Sequence, residues 1–329
     1  MNPAPQPNRP ALRAVPDGSE ALPARAPADK RPGASSAPRV CVIGLGYVGL
    51  PLAVIMASAG LPVVGVDIQP RVVEAVNDGR VPVAESGLDE RLRAALSEGT
   101  LKAVAHPVDA DVYVIAVPTP ITPERLPNLA FVEAAVDAVA PRLRPASMVV
   151  IESTCPVHTT ERLRDRLAAQ RPDLHFSGTG DPRVDQVCVA YCPERMLPGN
   201  ALDEMQGNTR VIGGLDPLAT RRAIEFYGRF VYGRLVPTTA RAAELCKLVE
   251  NTYRDVNIAL ANEVAALSHE VGVDPFELIR LANLHPRVDL LTPGPGVGGH
   301  CISVDPWFLV DLSPDTTSLI RTARLVNDA

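Results

Sequence analysis

An apolar run, Arg39-Val40-Cys41-Val42-Ile43, passes directly into Gly44-Leu45-Gly46-Tyr47-Val48-Gly49 and then into a helical stretch from Leu50 to Ala59. A second apolar run, Pro62 to Val66, ends at Asp67. A lone G-x-G-x-x-G is a weak signal. Between a strand and a helix, with an acid about 20 residues further on, it is the fingerprint of a dinucleotide-binding βαβ unit. Gly44 makes the tight turn, Gly46 lets backbone approach a pyrophosphate, and Gly49 lets helix and strand pack closely. The helix N-terminus faces the phosphate charge. Asp67 is placed to accept both ribose hydroxyls and to repel a 2′-phosphate, which favours NAD over NADP; Arg71 close by pulls the other way. The alternative is a glycine-rich turn without function.

The rest of the chain extends this pattern. Strands are expected at Asp111–Val117, Ser147–Ile151, Val187–Tyr191 and Asn208–Gly213, with helices at Asn128–Leu143 and Asp216–Arg229. Alternating strands and helices predict an α/β fold, a Rossmann-like, doubly wound parallel sheet. Ligands bind beyond the carboxyl ends of such strands. Thr119, Glu152 and Thr154 stand at those ends, as do Glu194 and Arg195 after the fifth of them. Thr119 and Thr154 read as cofactor-site residues, or else as caps of the following helices.

A much longer helical signal, Ala240 to Val271, carries Glu244, Lys247, Asn251 and Arg254, and Lys247, Asn251 and Arg254 share one face. These three form a row of donors for an anionic substrate, unless Glu250–Arg254 is one pair of a merely solvated face. Ala259, Leu260, Val264 and Leu267 offer an apolar face to a second copy, so a homodimer through this helix is expected. A shorter helix, Pro275 to Leu284, leads to His285-Pro286-Arg287. Then comes Pro293-Gly294-Pro295-Gly296-Val297-Gly298-Gly299-His300-Cys301, with Asp305 four residues on and a last helix at Thr317–Asn327. So many glycines and prolines exclude regular structure. Cys301 is either a positioned thiol nucleophile or a small buried residue in a structural turn. The expected organisation is a Rossmann-like domain over residues 39–238 and a helical central domain over 239–329.

Composition narrows the partners. The 329 residues are 46% hydrophobic and 21% charged, with net charge −6. Nothing basic invites nucleic acid. No apolar run reaches the ~18 residues of a membrane span. Six cysteines in such a length are no disulfide framework, which points to a reducing cytoplasm. Cys188-x-x-x-Cys192 lacks a second pair or nearby histidines, so no metal is expected. Residues 1–38, dominated by Pro, Ala and Arg, read as a disordered extension or a mis-assigned start.

Taken together, Gly44-x-Gly46-Tyr47-Val48-Gly49, Val117-Pro118-Thr119-Pro120, Glu152-Ser153-Thr154, Cys192-Pro193-Glu194-Arg195, Lys247-x-x-x-Asn251 and Gly296-x-Gly298-Gly299-His300-Cys301-x-x-x-Asp305 resemble the UDP-glucose/GDP-mannose dehydrogenase family, in family order. The resemblance implies four-electron oxidation of a sugar C6 alcohol, with Cys301 carrying a thiohemiacetal and then a thioester. It implies Lys247 at the C6 oxygen, with Glu194 and Asp305 handling proton and water, and Asn251 and Thr154 beside them. Arg195, Met196, Lys247, Asn251, Arg254, His285, Arg287 and Gly298 match nucleotide-sugar positions. Tyr47, Val48, Asp67, Arg71, Thr119 and Thr154 match NAD positions. Ser303-Val304-Asp305, where UDP-glucose enzymes carry Pro-Lys-Asp, implies a UDP-N-acetylhexosamine, UDP-N-acetyl-D-mannosamine first. Family members continue into a C-terminal UDP-binding domain, which is expected to be absent here. A single-oxidation β-hydroxyacid or 6-phosphogluconate-type dehydrogenase, and a non-catalytic NAD-binding dimer, are the competing readings.

Overall fold

The computed structural model describes residues 37–329 apart from 83–84, 197–198, 296 and 300. The extension expected over residues 1–38 thus lies almost wholly outside the described residues, as do Gly296 and His300 of the cysteine loop.

Eight strands among the described residues form one sheet: β1 (Val40–Ile43), β2 (Val63–Val66), β3 (Leu101–Val104), β4 (Val112–Ile115), β5 (Met148–Ile151), β6 (Cys188–Tyr191), β7 (Arg210–Gly214) and β8 (Leu235–Thr239). Their order is β3-β2-β1-β4-β5-β6-β7-β8. The inner strands are short apolar runs buried on both faces. Val40, Val42, Val112, Val114, Met148 and Val150 enter one core with the helix Gly49–Ser58. Cys41, Ile43, Tyr113, Ile115, Val149 and Ile151 enter the other with the helix Ala130–Val139. Side chains alternate between faces with period two, and both faces are dry, as in a doubly wound sheet. The order turns back between β1 and β4, so a crevice opens there beyond the carboxyl ends of the strands.

One pair departs from the expected parallel sheet. β6 and β7 are antiparallel, whereas β7 and β8 are parallel to each other. After β6 the chain does not cross back over the sheet. Residues 192–209 include the short helix Ala201–Gly207, whose Leu202 and Met205 join the core around the helix Gly49–Ser58. An antiparallel neighbour needs no crossover, so β7 can start near where β6 ended. β3 and β8 go unread in the sequence. β3 shows a half-exposed pattern and β8 carries Pro237.

The reversal decides where the long helix Ala240–Glu270 begins. β8 ends at Thr239, opposite Gly214, which itself pairs with Ala190 of β6. A Cβ on Gly213 would lie 2.2 Å from the Thr239 carbonyl oxygen, so only glycine allows that approach. Thr239 then caps the helix, its hydroxyl accepting from the Ala242 amide at 3.3 Å. The first turns of the helix touch the segments after β5 and β6, through Glu244 to the His158 amide and Glu250 to Arg195. Helices Pro275–Ala282, Asp305–Leu312 and Ser318–Asp328 follow it. The last is tied back by a buried ion pair, Arg324 Nη1 to Asp255 Oδ1 at 2.6 Å. A small third core of Leu248, Phe308 and Leu309 takes in Ile121 and Val157 from loops beyond β4 and β5, joining the helices to the sheet. No helix among the described residues is long and apolar enough to cross a membrane.

Candidate active site

The cofactor crevice is built from the ends of β1, β2, β4 and β5. Gly44 has φ +94°, and a Cβ there would lie 2.4 Å from the Ala116 carbonyl oxygen. At Gly49 a Cβ would lie 1.8 Å from the Gly44 carbonyl oxygen, so the helix starts directly on the turn. Over Gly46 a Cβ would meet nothing within 4 Å. The first and third glycines are thus demanded by the fold, and the middle one by open space that a ligand can enter. Tyr47 is 60% exposed at the rim, and Val48 packs against the core. Asp67 is half-buried. Its carboxylate accepts from the Leu45 amide at 3.0 Å and the Gln69 amide at 2.9 Å, which fixes its direction at the end of β2. Arg71 donates to Gln69, two residues away, at 2.9 Å.

Thr119 and Thr154 are half-buried. Neither caps a helix: the following helices begin at Ala130 and Thr159. Between them Ser153, which had no expected role of its own, donates to the Val117 carbonyl at 2.7 Å and accepts from the Val117 amide at 2.9 Å. It fastens the loop after β5 to the loop after β4. Glu152 lies in the interior, at 1% exposure. It is buried beside Tyr227, which donates to it, and beside Arg210 at 3.5 Å. Burial pushes its carboxyl up despite Arg210.

Further along the same edge lies the cysteine. The turn from Cys301 to Val304 starts the helix Asp305–Leu312, the Cys301 carbonyl accepting from the Asp305 amide at 2.9 Å. The glycine loop before it is held on the long helix by Asn262, whose side chain accepts from the Gly294 amide at 3.0 Å. Cys301 is surface-exposed, yet protein crowding desolvates its thiol and raises its pKa. Asp305 and Glu194 raise it further, while Lys247 and Arg254 lower it. All four side chains therefore lie within electrostatic reach of one sulfur. Asp305 is buried and accepts from Asn251 Nδ2 at 2.5 Å. Burial pushes its carboxyl up to about 6, against the pull of Asn251 and Lys247. Glu194 is buried and accepts from the Met196 amide at 2.5 Å.

Among the described residues the remaining sequence candidates make no hydrogen bond with Cys301, although the Arg254 charge reaches its sulfur. Arg195 is ion-paired with Glu250, Nε to Oε2 at 3.0 Å, and donates to the Thr209 carbonyl at 2.9 Å. Glu250 therefore pairs with Arg195 and not with Arg254, as helical spacing alone had allowed. Arg254 is exposed, as are His285, Arg287 and Gly298. The Arg287 amide donates to His285 Nδ1 at 3.3 Å. Among the described residues no group of three or more His, Cys, Asp or Glu could hold a metal. Cys188 and Cys192 are both buried, and burial pushes the Cys192 thiol up to about 12.

Residues 38–231 match the NAD binding domain of the UDP-glucose/GDP-mannose dehydrogenase family, and residues 241–329 match its central domain. The chain belongs to this family. The dinucleotide is accordingly NAD, and the glycine loop and Asp67 fit it. The chain is 52% identical over 290 residues to an NDP-N-acetyl-D-galactosaminuronic acid dehydrogenase of Ralstonia nicotianae, covering 88% of this chain and 68% of that protein. It is 50% identical over 289 residues to a UDP-N-acetyl-D-mannosamine dehydrogenase of Salmonella typhi, covering 88% and 69%. Among solved structures it resembles a UDP-D-ManNAc dehydrogenase of Pyrococcus horikoshii, with a TM-score of 0.82 and 42% identity over 88% of this chain and 68% of that one.

Proposed function

We propose that the protein oxidises the C6 alcohol of a UDP-N-acetylhexosamine to the carboxylate, with UDP-N-acetyl-D-mannosamine as the first candidate and the galacto epimer as the second. What supports this is the contact of Cys301 with Asp305, carbonyl to amide, at 2.9 Å and of Asp305 with Asn251 at 2.5 Å, with the charges of Lys247 and Glu194 acting on the same thiol. The overall change is R–CH2OH + 2 NAD+ + H2O giving R–COO− + 2 NADH + 3 H+. NAD supplies the hydride acceptor at each oxidation.

The chain's own residues supply the rest. Lys247 holds a positive charge beside the C6 oxygen and stabilises negative charge there. The Cys301 sulfur bonds to the aldehyde carbon while its proton passes to the carbonyl oxygen, giving a thiohemiacetal that retains a hydride to give. Its oxidation leaves a thioester, and water attack returns the thiol and the acid. Asp305, titrating near 6 and fixed by Asn251, can take and return a proton at neutral pH. Glu194, whose charge acts on the same sulfur, orients water. Arg254, Arg195, Met196, His285, Arg287 and Gly298 form the nucleotide-sugar surface, and Tyr47, Val48, Asp67, Arg71, Thr119 and Thr154 the cofactor side. Residues 39–238 and 239–329 form the two domains, and the protein is a cytoplasmic homodimer joined through the long helix.

The test is NADH formed per sugar consumed across a panel of UDP-sugars. Two equivalents per N-acetylhexosamine are expected from the unaltered protein, and no uronate from Cys301→Ala. One equivalent, with Cys301→Ala as active as the parent, would overturn the reading in favour of a single oxidation.

A further inference from the structure

The helix Thr159–Gln170, which follows the Glu152-Ser153-Thr154 strand end, has no cap of its own. Its N-cap position is His158, in a left-handed conformation with φ +76° and no capping side-chain bond. The first amides of a helix have no internal partner, and a chain usually satisfies them with a local Ser, Thr, Asp or Asn. Here the acceptor comes from 84 residues away. The Glu244 carboxylate accepts from the His158 amide at 2.8 Å, the Thr160 amide at 2.8 Å and the Thr160 hydroxyl at 2.6 Å. Glu244 is wholly buried. A negative charge at a helix N-terminus is favourable, and three donors aimed at one buried carboxylate make a directional hold.

A local cap would satisfy those amides equally well. What Glu244 adds is a fixed relation between two elements. It sits one turn before Lys247 and two turns before Asn251 on the long helix. The amides that it takes lie four and six residues after Thr154. The ground between is shared and dry: buried Cys155 and Tyr191 feel the charges of both Glu244 and Asp305. The Cys155 amide is itself held by the Tyr191 hydroxyl at 3.4 Å.

We propose that Glu244 is a positioning residue: by capping the helix after β5 from the long helix, it sets the place of Lys247 and Asn251 relative to Thr154. It acts through those residues and touches no substrate. The inference rests on the reaction proposed above.

The experiment compares Glu244→Ala, Glu244→Gln and Thr160→Val with the unaltered protein. Four quantities are read: kcat and KM for the UDP-sugar, the Kd for NAD, and hydrogen exchange at the His158 and Thr160 amides. Glu244→Ala should expose both amides and lower kcat by about thirtyfold, equivalent to about 2 kcal/mol of misplacement. The NAD Kd should stay within about twofold, because the glycine turn and Asp67 sit on β1 and β2 away from Glu244, and KM should change much less than kcat. Glu244→Gln keeps an acceptor oxygen for the two Thr160 donors but turns a donor toward the His158 amide, so it should recover part of kcat. Thr160→Val, which removes one of the three bonds and keeps the side chain's shape, should show a smaller fall in the same direction if Glu244→Ala does not fold. An unchanged kcat with exposed amides overturns the proposal. So does a parallel loss of kcat, KM, NAD binding and melting temperature with no rescue by glutamine, which would mark the contact as merely structural. Failure of the unaltered protein to oxidise any UDP-sugar would instead remove the reaction, and the exchange data would still report the clamp.

Discussion

At the scale of single residues, Asp305 has the most to reveal. Burial raises its carboxyl from the ordinary 3.8 to about 6, and Asn251 and Lys247 offset only part of that. Between those two values the folded protein holds a proton that the unfolded chain has already released. Stability therefore falls as pH rises through this window, and above it the ionised group costs the folded state about 3 kcal/mol. Asp305→Asn keeps an acceptor for Asn251 and has no charge to bury. In urea melts the variant should be the more stable protein at pH 8, by up to about 3 kcal/mol, and the difference should close below pH 4. Its oxidation of substrate should be impaired at every pH. A parent more stable than the variant at pH 8 would mean that Lys247 compensates the charge fully. Cys301, Lys247, Asn251 and Asp305 were legible because each belongs to a short motif. The roles of Glu244, Tyr191 and Ser153 were not, because they are contacts across 36 to 86 residues of sequence.

At the scale of elements, the glycine turn separates folding from binding. An added Cβ at Gly49 would strike the Gly44 carbonyl, so Gly49→Ala should lower the melting temperature, at a cost of about 1–3 kcal/mol. The same change at Gly46 meets open space, so Gly46→Ala should melt as the parent does while binding NAD at least about tenfold more weakly. Calorimetry reads both quantities, and the reverse pattern would sink the assignment of the crevice. The same turn explains why the core of the sheet was readable. β1, β2, β4, β5 and β6 are apolar runs with both faces buried, a pattern that composition alone reveals. The direction of β7 was not readable. It depends on the chain re-entering the sheet beside β6 in the opposite direction, which no local propensity encodes. The long helix was read to within a residue at its C-terminus, because its apolar periodicity runs that far.

At the scale of the whole molecule, the long helix presents two faces with opposite tasks. Lys247 and Asn251 turn toward the sheet edge, with Leu248 in the small core between. On the other side Leu245, Val249, Tyr253, Leu260, Leu267 and Val271 are each at least 42% exposed. Their spacing of four and seven residues places them in one stripe along a helix about 45 Å long. An apolar stripe of that length is costly in water and marks a contact. The sequence had put Ala259 on this face, but it is buried within the chain at 3% exposure; Leu260 and Leu267 keep their place. A second copy fits because one helix face can pair with itself about a two-fold axis, each stripe covering the other. Light scattering should therefore give a mass near twice the 35.0 kDa of one chain. The double variant Leu260→Asp, Leu267→Asp would bring like charges together across that axis and should give a monomer, costing several kcal/mol at the interface. NAD affinity should survive, since the crevice is built on the sheet. A parent protein that is already monomeric at micromolar concentration, or a double variant that stays dimeric, would show that the stripe has another occupant.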